Sequence, residues 1–209
     1  MTLSVHLGNR PGGRNAGHHV LMESDEEFAA RLSSVLVGGL RPRVVEIVAY
    51  DPLWPQRFVA ERVRIESAMG ETARRIEHIG STSVPGLAAK PIVDIQVSVD
   101  DPDDDVAFTA ALEAAGYELR VREPAHRMFR TPAGDVQVHV WPTGGDDARR
   151  HLLFRDWLRS HPDDRILYEE TKRGLAGREW PDVNYYARAK GPTIEAIMAR
   201  ATAGDVIAD

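Results

Sequence analysis

Cysteine is absent from all 209 residues. That removes disulfides, thiolate metal ligands and a cysteine nucleophile, and it fits a reducing compartment. Long apolar runs are missing as well: no stretch approaches the roughly 20 residues that a membrane-spanning helix needs. The N-terminal MTLSVHLGNRPGGRNAGHH holds only a short apolar stretch at 3–7, broken by His6 and followed by Gly, Pro and Arg, so it does not read as an export signal. A cytoplasmic protein with no membrane association is therefore expected. Positive charge is in deficit, with 26 Lys and Arg against 32 Asp and Glu and a formal charge of −6. Such a balance argues against extended nucleic-acid binding, yet it leaves room for a local basic pocket.

What is present is an ordinary globular complement, 43% hydrophobic and 28% charged. Residues 8–19 are rich in Gly, Asn, Arg and His without hydrophobic period, and read as a flexible arm. Ser24-Asp25-Glu26-Glu27 is a capping-box signature. Phe28, Leu32, Val35 and Leu36 then mark one face of a helix, stopped by Gly38-Gly39 and Pro42. The chain thus divides into an arm and capping helix at 1–42 and a main domain at 43–209.

In the main domain a strand is expected at 44–49 and a helix from Pro55 to about Met69. Strands at 74–79 and 92–99 flank a Gly/Ser/Pro loop at 80–91. The acidic run 100–105 lacks calcium-hand spacing and reads as a solvated helix cap. Three strands at 117–122, 127–130 and 135–141 precede helices at about 148–160, 163–176 and 183–202. Strands followed by a run of helices predict an α+β fold: a mixed sheet with a helical C-terminal half.

Two strands carry matched polar residues. In 92–99 the alternation sets Asp94 and Gln96 opposite Val93, Ile95, Val97 and Val99; in 136–141 it sets Gln137, His139 and Trp141 opposite three valines. As neighbours, these strands gather Asp94, Gln96, Gln137 and His139 on one wall. Either that wall lines a binding site or it is the solvent face of an open sheet. The preceding loop bears on the choice. Gly80 and Ser81 expose backbone N–H groups, Ser81, Thr82 and Ser83 add hydroxyls, and Lys90 adds a cation, which together make an anion cradle without P-loop spacing. Arg155 and Arg159 share a helix face, with Lys172 and Lys190 on later helices and Arg127 and Arg130 on a strand. Several of these could converge on phosphate or carboxylate, or serve as surface charge and a salt bridge to Asp156. Trp54, Phe154, Trp157, Trp180 and Tyr185 read as core and helix-seam residues.

The segment HIGSTSVPGLAAKPIVDIQVSV at 78–99 resembles the signature of the GrpB family and the related C-terminal domain fused to dephospho-CoA kinase in some actinobacteria. The likeness continues through Tyr50-Asp51-Pro52-Leu53-Trp54-Pro55, FRDWLRSHP at 154–162, Tyr168 with Lys172 and Tyr186 with Lys190, about residues 45–200. It implies a nucleotidyltransferase-like fold in which Gly80-Ser81 holds nucleotide phosphates and Asp94 is the first metal-binding carboxylate. Gln96 stands where a second acidic residue is expected, and Gln137 and His139 supply no third. Two-metal transfer needs more anionic oxygen than this. At most one divalent ion, magnesium or manganese, is expected, weakly held through Asp94 with His139 as second contact. His78 and His139 are the acid/base candidates.

The expected function is binding of a nucleotide or other small phosphorylated molecule, as a divergent nucleotidyltransferase or group-transfer enzyme. The competing expectations are a non-catalytic binding module and a biosynthetic enzyme with a metal-independent pocket.

Overall fold

The computed structural model describes residues 23–205. The expected arm at 8–19 and the apolar stretch at 3–7 lie outside the described residues. The elements are α1 (Asp25–Val35), β1 (Arg43–Val44), α2 (Trp54–Met69), β2 (Arg75–Ile79), β3 (Val93–Val99), α3 (Val106–Ala114), β4 (Glu118–Glu123), β5 (His126–Arg130), β6 (Val136–Pro142), α4 (Asp146–Ser160), α5 (Pro162–Leu175), β7 (Glu179–Trp180), α6 (Val183–Ala189) and α7 (Gly191–Asp205). Five strands form one mixed sheet in the order β2-β3-β6-β5-β4, in which only β3 and β6 run parallel. This is the expected α+β organisation. Among the described residues no helix is long and apolar enough to cross a membrane.

Alternation decides the layers. Val93, Ile95, Val97 and Val99 with Val136, Val138 and Val140 form a face closed by Trp54, Ile65 and Met69 of α2 and Phe108 and Leu112 of α3. Each large apolar side chain so buried contributes roughly 1.5–3 kcal/mol. The opposite face is not open to solvent: every residue of β3 is buried. Helices α4 and α5 pack there, and Phe154, Leu158 and Tyr168 join Val84 and Leu87 of the 80–91 loop in a second core with Ile197 and Met198 of α7.

Helix α1 forms as its capping box requires. Glu27 N–H donates to Ser24 Oγ at 3.2 Å, and Ser24 N–H donates to Glu27 Oε2 at 2.8 Å. Its stripe Phe28, Leu32 and Leu36 is buried against Val121 and Met128, and Phe28 meets the Tyr185 ring edge-on at 4.9 Å. Val121, Met128 and His139 are register neighbours and so share a sheet face. The helix therefore covers the outer strands on the polar side. The link after it is held by Arg120, which donates to the carbonyls of Val37 and Gly39.

Three expectations change. The strand at 44–49 shrinks to Arg43–Val44, because its backbone divides its partners: Val45 O accepts from Gly177 N–H and Val48 pairs with Ala89. The C-terminal helix breaks between Ala189 and Gly191, where Pro192 lacks an N–H to continue the ladder. The acidic run is a solvated helix start only in part: Asp100, Asp101, Asp103 and Asp104 are exposed ahead of α3, whereas Asp105 is buried and gripped by Arg122 and Arg127.

Candidate functional site

Asp94 and Gln137 are Cα partners across the parallel pair β3–β6, as are Gln96 and His139. All four side chains therefore stand on the face beneath the C-terminal helices. Asp94 is the hinge of the arrangement. Gly80, with φ 70° and ψ −175°, lies so close to it that an added Cβ would overlap Asp94 Oδ2 and stand 3.0 Å from its Cβ and Cγ. The other carboxylate oxygen, Oδ1, is 3.9 Å from His139 Nε2. The glycine that reads as a phosphate cradle is thus required first by this close approach.

A cleft opens here, lined by Gly80, Ser81, Thr82, Lys90, Ile92, Asp94, Tyr168, Lys172, Tyr186 and Lys190. Lys190 Nζ donates to Tyr168 Oη at 3.3 Å and lies 4.9 Å over the Tyr186 ring, which also carries Lys90 at 5.5 Å. Removal from water pulls Lys190 down to about 8; Lys90 falls to about 8 by the same cause and by its neighbour Lys190. Both keep most of their charge at neutral pH. Burial pushes Tyr168 up to about 12 and Tyr186 further still. A second cleft shares Lys90 and Lys190 and adds Arg41, Arg43, Arg120, Arg130, Gln137 and His139, with Asp182 the single carboxylate. In a chain of charge −6 this is a concentrated basic surface.

Other expected site residues are occupied elsewhere. Gln96 is spent on α4: its Nε2 donates to Ala148 O at 3.3 Å and its Oε1 lies 3.2 Å from His151 Nδ1. His78 pairs with Ile95, which puts it on the apolar face away from Asp94. It stacks on Phe58 at 4.8 Å and contacts Thr82 Oγ1 at 3.1 Å, and burial pushes it down to about 4. Thr82 Oγ1 donates a hydrogen bond to Ile92 O at 3.1 Å, and Ser83 Oγ donates to Gly80 O at 2.6 Å. Ser81 is left as the hydroxyl of the trio that faces Tyr168.

Arg155 and Arg159 do not line either cleft. Arg155 binds Glu77 and His78 O, and Arg159 donates twice to Ser83 O at 3.1 and 2.8 Å. Lys172 likewise donates to Ala88 O while Glu169 accepts from Ala88 N–H at 3.0 Å. Arg159, Glu169 and Lys172 thus clamp the 80–91 loop through its backbone, while Arg155 holds the end of β2 before it. Burial and the nearby Lys190 pull Lys172 down to about 6, so it is mostly neutral at pH 7. Arg127 is consumed by Asp105, whereas Arg130, three residues on and facing the other way, reaches the second cleft.

The polar wall also contains residues that the sequence reading passed over. His126 Nε2 lies 3.2 Å from His139 Nδ1, and His126 Nδ1 lies 3.3 Å from Glu123 Oε2. His126 stacks on Trp141 at 3.8 Å. Burial lowers both histidines, His139 well below the usual imidazole range. The β5 alternation His126, Met128, Arg130 was the available signal. Among the described residues no group of three or more His, Asp or Glu is placed to hold a metal ion.

The chain is 45% identical over 185 residues to a UPF0157 protein of Halalkalibacterium halodurans, covering 86% of this chain and 93% of that one. It is 30% identical over 188 residues to a dephospho-CoA kinase of Mycolicibacterium paratuberculosis, covering 75% of this chain and 46% of the kinase. The crystal structure of conserved protein GrpB from Enterococcus faecalis superposes with a TM-score of 0.66 at 30% identity, over 75% of this chain and 96% of that one. The family described as GrpB protein matches residues 44–200. With three quarters of the chain inside that match, the 78–99 segment included, the protein belongs to the GrpB family.

Proposed function

We propose that this protein binds a small phosphorylated molecule, a nucleotide or coenzyme fragment, in the cleft between the 80–91 loop and the Asp94 wall. The observation that carries the reading is the convergence of Ser81, Lys90 and Lys190 on one side of Asp94, at a junction with a second cleft rich in arginine. Ammonium groups lowered by desolvation gain most from an anionic partner. The loop is held by Arg159, Glu169 and Lys172 before any ligand arrives, so little ordering entropy opposes binding.

The nucleotidyltransferase-like reading is kept in a divergent form. A divalent ion, magnesium or manganese, would be held by Asp94 with His139 as second contact, and would supply charge neutralisation at the phosphate. Gln96 is committed to α4 and adds no ligand. One carboxylate and one imidazole suit a single weak ion, made firmer by the ligand's own oxygens. The non-catalytic alternative draws on the same shortage of carboxylates and differs in one respect, binding without turnover.

Thermal-shift and calorimetric titration with ADP, ATP, coenzyme fragments and pyrophosphate, each with and without manganese, tests the reading. A ligand at 100 Kd adds about 2.7 kcal/mol of stability. Ser81→Ala and Lys90→Ala are expected to weaken that binding tenfold or more. If both bind as wild type does, the loop is structural and the proposal fails.

A further inference from the structure

His139 belongs to a chain of buried polar groups whose proton positions follow from one another. Glu123 is a carboxylate and can only accept, so the nitrogen of His126 that faces it, Nδ1, carries the proton. A neutral imidazole has one N–H, which leaves His126 Nε2 as a lone pair. That lone pair lies 3.2 Å from His139 Nδ1, which must therefore be the donor. His139 Nε2 is then bare. It is buried, has no hydrogen-bond partner among the described residues, and looks across 3.9 Å at Asp94 Oδ1. Two acceptors face one another where an ordinary structural histidine would have turned its N–H to the carboxylate.

We propose that Glu123 and His126 are positioning residues that lock His139 in the Nδ1–H form, so that Nε2 and Asp94 together make a double acceptor for an electropositive hydrogen of the ligand, a hydroxyl proton. The inference deepens the proposed binding reading in its ion-free form, since an ion held by Asp94 and His139 would take the same Nε2 lone pair; it rests on that reading for the ligand, although the lock itself is a property of the free protein. The surroundings support it. His126 is stacked on Trp141 and cannot easily turn, and its ring lies within 5° of parallel to His139. Gln96, the residue that could have donated to Nε2 from the same face, is occupied by Ala148 and His151. In function, a bare Nε2 accepts a hydrogen bond from a ligand hydroxyl at once, with no prior change of tautomer.

The test uses the ligand-free full chain, so that its outcome is independent of phosphate binding. Long-range proton–nitrogen correlation spectra assign the tautomer of each imidazole. The expected result is Nδ1 protonated and Nε2 bare at both His126 and His139. His126→Phe keeps a ring to stack on Trp141 and removes the acceptor; His139 should then move its proton to Nε2, toward Asp94. His126→Gln restores an acceptor oxygen and should recover the Nδ1–H form. Glu123→Leu should give His126, and with it His139, a mixture of tautomers. A wild-type His139 protonated on Nε2 overturns the inference, as does a His139 tautomer indifferent to His126→Phe. A normal tautomer pattern with no phosphate binding would instead remove the proposed function and leave the lock standing.

Discussion

Replacing Gly80 with alanine tests the geometry on which the whole site depends. Its φ of 70° and ψ of −175° fall in a region that is essentially glycine-only and costs an L-residue about 1–3 kcal/mol. The new methyl would also overlap Asp94 Oδ2. Turning the carboxylate off its rotamer adds about 0.5–1.5 kcal/mol. The two together come to about 2–4 kcal/mol, or roughly 5–15 °C in Tm for a chain of this size. Gly86 is the matched control, with φ 78° and open space where its Cβ would go, so Gly86→Ala carries backbone strain without the clash. The contributions separate further in an Asp94→Ala background, where Gly80→Ala should cost its backbone strain and the 3.0 Å contact with the remaining Cβ but not the overlap with the carboxylate. Calorimetric melts of the four variants would decide it. A Gly80→Ala protein melting within about 1 °C of wild type would refute the reasoning, because neither the strain nor the carboxylate contact would then exist.

Three further outcomes are expected. Gln96→Glu places a carboxylate against Ala148 O in a buried site, so it should destabilise by about 3–5 kcal/mol in urea unfolding and bring no gain in manganese affinity by calorimetry. His78 and His151 are held near 4, below their unfolded value. The unfolded chain therefore binds more protons between about pH 6.5 and 4, and stability is lost as pH falls through that window, by about 2 kcal/mol for each histidine at pH 5; urea melts at pH 7.5 and 5 should show the loss, and should show it reduced in His78→Phe. Lys172, held near 6 when folded, makes wild-type stability rise with pH above that value, since again the unfolded state binds the extra proton; Lys172→Met should flatten the slope between pH 7 and 8 by about 1.4 kcal/mol per pH unit.

The parts of the site that were legible in the sequence are those written in period two. Alternation in 93–99 and 136–142 puts Asp94, Gln96, Gln137 and His139 on one face, and strand pairing then has only to bring the two runs together. The layer above that face was not legible, since nothing local in Arg155, Arg159 or Lys172 says that each will seek a backbone atom some eighty residues away. His126 was missed for a smaller reason. A strand begun at 127 leaves it in the turn, and one residue of boundary hides its parity with Met128 and Arg130. The same parity separates Arg127 from Arg130, which adjacency in sequence had grouped as a pair. His78 looked like a site residue by its place beside the glycine loop, and only the register against Ile95 assigns it to the other side of the sheet.

The family match begins at residue 44, yet the second cleft is rimmed by Leu36, Arg41 and Arg43, which precede it. The rim and the inner wall are thus set by separate stretches of chain, the rim by the link after α1 and the wall by the pairing of β3 with β6. Exchanging Arg41 or Arg43 leaves untouched the register that places Asp94 beside Gln137 and Gln96 beside His139. The outer edge of the cleft and its floor are therefore separable properties of this fold, and a change in one need not be transmitted to the other.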